Sequence, residues 1–175
     1  QANGPGWPNP PWSTFLFRSL MENQDFQTQF INHFCFYLNT RFKPDYVNEH
    51  ISNTVSHISP EMPRHIQKWG GNMAQWYQNA NSIIQFGDYR QENVFNHLAS
   101  YFGLDQFSNL EISAYPEEGG SLYTSNQEIS ENPWEATYFD DIPIEIIAVP
   151  NPGYIFSHWT GAGIVLEPTL TLTLF

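Results

Sequence analysis

VFNHLASYFG (residues 94–103), followed directly by LDQFSNLEISAY (residues 104–115), is the place where the hydrophobic period of the chain changes. Val94, Leu98 and Tyr101 recur at spacings of four and three, which puts them on one face of a helix, and Gly103 supplies the stop. Leu110-Glu111-Ile112-Ser113-Ala114-Tyr115 then alternates with a period of two, as a half-buried strand does. The pattern predicts an α+β protein. A bundle of about five helices over residues 12–103 is followed by a small, mostly antiparallel β-domain over residues 104–175. The Pro/Gly-rich opening, residues 1–11, reads as a linker or as an end cut from a longer protein.

Upstream of the switch, Phe15, Leu16, Ser19 and Leu20, then Phe26, Phe30, Phe34, Tyr37, Leu38 and Phe42, fall at helical spacings. Asn23 suits the N-cap of the second helix, because its side chain can accept from an otherwise unpaired backbone N–H. Pro44 closes that stretch, and a third helix from about Asp45 carries Val47, Ile51, Val55 and Ile58 toward the core. Ser59-Pro60 reads as the cap and first turn of a fourth helix, which stops at Gly70-Gly71. A long fifth helix is expected from about Asn72 to Phe102, with Met73, Trp76, Ile83, Phe86, Val94, Leu98 and Tyr101 inward and Gly87 as a weak point midway. Downstream, strands are expected over 110–115, 121–125, 135–139, 142–149, 154–159 and 169–175, with turns at 116–120 and at Pro150-Asn151-Pro152-Gly153.

Composition narrows the function classes. Apolar residues make up 41% and charged residues 14% of the 175, so the chain has the means to fold. The net charge of −12 is unevenly spread: residues 105–175 hold eleven carboxylates and no Lys or Arg. Nucleic acid is a poor partner for that surface, since binding it requires Lys and Arg to displace counterions. No apolar run approaches the roughly 20 residues of a membrane span. Cys35 is the single cysteine, and its neighbours Phe34 and Phe36 mark it as a buried, inert thiol. No Gly-flanked Ser elbow, phosphate loop or metal-ligand spacing is present, so no catalytic, cofactor-binding or metal residue is assigned. His50 and His57 stand two helical turns apart, about 10.5 Å along the axis, too far to share one ion.

Two residue sets stand out. Arg64, His65 and Arg90 form a candidate polar interface for an anionic group, although Glu61 precedes Arg64 by three, which offers local helix pairing instead. Trp134, Tyr138, Tyr154 and Trp159 form a candidate aromatic surface, although the same rings suit a sheet core.

Trp12-Ser13-Thr14-Phe15-Leu16-Phe17-Arg18-Ser19-Leu20-Met21-Glu22-Asn23, with Phe26, Phe30 and Leu38-Asn39-Thr40, resembles the final helical part of the spore coat protein H (CotH) kinase-like family. Ile58-Ser59-Pro60-Glu61-Met62-Pro63-Arg64-His65, Trp69, Trp76 and Phe86-Gly87-Asp88-Tyr89-Arg90 extend the resemblance over about residues 12–103. The second half, through Tyr138-Phe139, Ile144–Pro150 and Pro152-Gly153-Tyr154-Ile155-Phe156-Ser157-His158-Trp159, is similar to the B-repeat module of bacterial surface proteins. The first resemblance implies a secreted or surface-associated atypical protein kinase whose parent uses ATP and Mg. The family's nucleotide lobe, catalytic acid and metal-binding Asp motif precede the helices matched here. The resemblance therefore implies a non-catalytic C-terminal fragment that completes a kinase's large lobe, partners the upstream lobe of the same polypeptide and adds a β spacer or anchor. The alternative is a free-standing extracellular module that binds polysaccharide or a cell-surface protein.

Overall fold

A computed structural model describes residues 12–161 and 163–175, so the opening read as a linker lies outside the described residues. Among the described residues, five α-helices precede six β-strands, and every strand pairing is antiparallel. The protein is α+β. The helices are α1 (Phe15–Leu20), α2 (Gln24–Leu38), α3 (Pro44–Ile58), α4 (Met62–Trp69) and α5 (Met73–Phe102).

Two compact units divide the chain. One comprises the residues up to Phe36 together with Gln106–Phe175, and the other comprises Tyr37–Asp105. The change of period at Gly103 falls two residues before one boundary between the units, and the other boundary lies near the end of α2.

In the unit Tyr37–Asp105, α3 packs along α5. Gly87 is the point of closest approach: a Cβ there would lie 3.0 Å from Val47 Cγ1. The expected weak point is thus a packing position inside an unbroken helix. Beside it, Asn48 donates to Asp88 Oδ1 at 2.7 Å, and Gln91 donates to the Leu38 carbonyl at 2.7 Å, closing the C-terminal end of α2. Asn72 caps α5 by accepting from Gln75 N at 2.8 Å. Leu98 is buried as expected and Phe95 joins it, whereas Ile83, Phe86 and Tyr101 stay exposed. A helix that packs on neighbours along one stripe buries that stripe alone, and those three positions fall just outside the stripe of Ile84, Gly87, Gln91, Val94, Phe95 and Leu98. Phe42 and Ile58 are exposed too. Ser59 does not cap α4; its hydroxyl donates to the Ser56 carbonyl at 3.2 Å, within a 3₁₀ turn over Ser59–Glu61. Pro44 opens α3, where its missing N–H costs nothing.

In the other unit, Asn23 caps α2 through Phe26 N at 2.9 Å. The strands form two sheets. β1 (Phe107–Ile112) pairs with β4 (Trp134–Phe139), with Leu110 opposite Ala136. The second sheet has the order β3-β2-β5-β6, built from β2 (Gly120–Thr124), β3 (Gln127–Ile129), β5 (Ile144–Pro150) and β6 (Thr169–Leu172). β3 escaped the sequence reading. It is reached through Ser125 and Asn126, both at positive φ (51° and 59°), a two-residue hairpin turn of the kind whose twist matches the strands. Conversely, the strand expected over 154–159 is irregular chain held by one bridge between Trp159 and Val165.

Alternation along β4 buries Trp134, Ala136 and Tyr138, and Ile112, Leu122, Ile129, Ile144 and Ile146 of the other strands are buried as well. α2 covers this core with Ile31, Cys35 and Phe36; the Phe36 and Trp134 rings stand 5.9 Å apart, and Asn32 donates to the Pro143 carbonyl at 2.8 Å. Each such aliphatic or aromatic side chain contributes roughly 1.5–3 kcal/mol by leaving water. A β-domain of this size is marginal alone, and α2 enlarges its core.

Candidate functional site

A cleft of about 150 Å³ opens at one end of the β-unit, between the turn after β1 and the chain that follows β5. Its first wall is Tyr115, Pro116 and Gly119, the last residue of the turn Glu117–Gly119; its second is Val149 and the segment from Tyr154 to Trp159. Asn151 ties the walls together: its backbone N–H donates to the Gly119 carbonyl and its side-chain amide to the Glu118 carbonyl, both at 2.9 Å. Gly120 permits the close approach, since a Cβ there would run into the Val149 carbonyl. The Tyr154 ring lies against Gly119, and its hydroxyl reaches Glu118 Oε1 at 3.4 Å. Trp159 donates its indole N–H to the Glu167 carbonyl at 3.1 Å and stands 5.6 Å from the Phe156 ring, tilted by 51°. With its one polar atom satisfied, Trp159 presents its ring as a fixed wall. Tyr115 is fully exposed at the rim.

The four aromatic residues expected to share a surface are divided by the fold. Tyr154 and Trp159 line the cleft, but Trp134 and Tyr138 do not belong there: they are 1% and 0% exposed in the core of the same unit. The period-two alternation of β4 dictates that burial. Tyr115, Phe156 and His158 complete the cleft and were missed, because residues 110–115 and 154–159 read as strands, whereas 113–115 and 154–158 are irregular chain.

The polar set does not converge on a shared partner. Arg64, on α4, lies 3.9 Å from Glu61 Oε2 with both side chains largely in solvent, a pair worth about 0–1 kcal/mol. Arg90, on α5, places its guanidinium 5.5 Å from the Phe86 ring centre. His65 is exposed.

Burial governs the remaining titratable features. Cys35 is fully buried, and desolvation pushes its thiol up to about 12, partly offset by a hydrogen bond with the Phe139 backbone. Tyr138, beside it, is also pushed up, first by desolvation and then by the neighbouring thiol. Thr124 donates its hydroxyl to the Glu145 carbonyl at 2.9 Å and, as a neighbour of the Tyr138 hydroxyl, pulls slightly the other way, although no group stands at full hydrogen-bonding geometry to that hydroxyl. Neither group has the exposed, charge-stabilised setting of a nucleophile. Among the described residues, no three His, Cys, Asp or Glu side chains gather in a way that could hold a metal ion, and no helix is long and apolar enough to cross a membrane.

The family model described as CotH kinase protein matches residues 1–94. No curated protein and no solved structure matches the chain. Because the family match spans more than half of the 175 residues, the chain belongs to the CotH kinase family.

Proposed function

With membership of the CotH kinase family as the premise, we propose that this chain is the non-catalytic, C-terminal part of a secreted CotH-like atypical kinase. Its helices complete the large lobe, and its strands act as a spacer or anchor at the cell surface. The observation that carries this reading is the family match over residues 1–94, joined to what those residues contain. Phosphoryl transfer requires a clamp of metal and cations on the phosphates and a group that positions the acceptor hydroxyl. Among the described residues, Arg64 and Arg90 face different neighbours, the first Glu61 and the second the Phe86 ring.

The helical surface supports a role as a partner to more protein. Trp12, Phe15 and Leu16 at the start of the described chain, and Trp69 at the end of α4, are each 66–80% exposed. Large apolar groups grouped in solvent, as in the first three, mark contact surfaces. In this reading the upstream lobe of the same polypeptide covers them, ATP and Mg bind to that lobe, and Arg64 and Arg90 add polar contacts to it.

Recovering the coding sequence upstream of Gln1 tests the proposal. A Lys-bearing nucleotide lobe and an Asp metal motif in frame are expected; an unrelated domain there would overturn it. In the longer protein, Arg64→Ala with Arg90→Ala should lower kinase activity or melting temperature, and a double variant equal to the parent in both would remove the two arginines from the interface.

A further inference from the structure

We propose that the cleft walled by Tyr115, Tyr154, Phe156 and Trp159 is a binding site for a neutral saccharide, taking about one pyranose ring of a longer glycan. Nothing in the kinase reading requires such a site, and it stands or falls on the β-unit alone.

Charge selects the ligand class. The residues lining the cleft include no Asp, Glu, Lys or Arg; the lining's one imidazole, His158, has its Nδ1 on Ser157, and the Glu118 carboxylate beside the cleft faces the Tyr154 hydroxyl. An anionic ligand would need a cation in the wall to offset its desolvation, and a cationic one would need a carboxylate. The surrounding sequence also repels anions, since residues 105–175 carry eleven carboxylates and no Lys or Arg. An uncharged ligand remains.

The lining then selects its chemistry. Four aromatic residues stand beside hydroxyls and backbone amides: Ser121 is half-buried in the wall with its hydroxyl on Glu128 Oε1 at 2.7 Å, and Ser157 contacts His158 Nδ1 at 2.8 Å. A sugar ring has the matching duality, with an apolar face of C–H groups that lies on an aromatic ring and an edge of hydroxyls that exchanges hydrogen bonds. Each serine oxygen keeps acceptor capacity that a sugar hydroxyl can use and a wholly apolar ligand cannot. A volume near 150 Å³ equals about five waters at ~30 Å³ each, the scale of one six-membered ring with its hydroxyls.

The walls are set before any ligand arrives. Asn151 fixes the turn, Gly120 lets the strands close, and the Trp159 indole is held by Glu167. Such preorganisation lowers the ordering cost of binding. Tyr115, whose side chain is wholly in solvent, is free to fold over the bound ring.

The test uses the complete 175-residue chain and defined probes: cellohexaose, xylohexaose, laminarihexaose and chitohexaose as neutral glycans, polygalacturonate as an anionic one, and a proline-rich decapeptide as the rival occupant of an aromatic groove. Titration is followed calorimetrically and by the indole N–H resonance of Trp159. Saturable binding of at least one neutral hexasaccharide, with a shift of that resonance, is expected. Tyr115→Ala should weaken it by about fivefold or more while leaving the melting temperature unchanged, because its ring touches the ligand and not the core. Tyr154→Ala should do the same, with circular dichroism as the folding control. No binding of any neutral probe, preference for polygalacturonate or the peptide, or binding that survives both substitutions unchanged would each overturn the assignment.

Discussion

Replacing Tyr138 separates its ring from its hydroxyl and tests whether it is core or surface. The ring is fully buried and meets Trp134 edge-on at 6.2 Å. The hydroxyl is buried, and no group stands at hydrogen-bonding geometry to it. A buried hydroxyl without a hydrogen bond costs about 1–3 kcal/mol of desolvation, so Tyr138→Phe should be neutral or should stabilise the fold by up to about 1 kcal/mol. Tyr138→Ala removes the ring as well and should cost about 3–5 kcal/mol, the range for emptying an aromatic site in a core. Urea unfolding monitored by circular dichroism reads both, with the slope checked for constancy so that the midpoint shift reports stability. A Tyr138→Phe loss above about 1.5 kcal/mol would mean that the hydroxyl makes a bond which the packing argument denies. Tolerance of Tyr138→Ala within about 0.5 kcal/mol would return the ring to the surface.

Other perturbations probe the same packing. The Cys35 thiol, held up near 12 against an ordinary 9.0, should resist iodoacetamide at pH 8 in native protein and react fully in urea. Since the unfolded thiol loses its proton from about pH 9 while the folded one keeps it, stability should be unaffected below pH 9 and fall by about 1.4 kcal/mol per pH unit between 9 and 12. Cys35→Ala should flatten that decline, and an unchanged slope would contradict it. Asn32→Ala should cost about 1–3 kcal/mol by stranding the Pro143 carbonyl. Gly87→Leu should destabilise by at least about 2 kcal/mol, because the site already touches Val47. A Leu variant as stable as the parent would show that α3 and α5 do not meet there.

Features of the fold were legible in the sequence to the extent that their signals are local. The cap at Asn23, the start of α5 near Asn72, the stop at Gly70-Gly71 and the change of period at Gly103 depend on a few adjacent residues, and all are seen. Cys35 between two Phe residues is likewise buried. The division of rings between core and cleft was not legible, because Trp134 and Trp159 are the same residue type and only strand register against chain irregularity separates them. The inward side of α5 was misjudged at Ile83, Phe86 and Tyr101 for a related reason: hydrophobicity marks a broad face, whereas contact with a neighbour uses one stripe of it. Gly87 looked like a weakness because the close approach of Val47, forty residues earlier, is a tertiary fact. The hairpin that creates β3 had a signal in Ser125-Asn126, which weak alternation on either side concealed.

The central claim is that this polypeptide supports phosphoryl transfer carried out by groups outside it. The most direct measurement is nucleotide handling by the purified 175 residues: ATP hydrolysis and calorimetric ATP binding in the presence of MgCl₂. The account predicts turnover no greater than the buffer blank and no saturable binding at millimolar nucleotide. Turnover above the blank that depends on magnesium, or binding in the micromolar range, would contradict it.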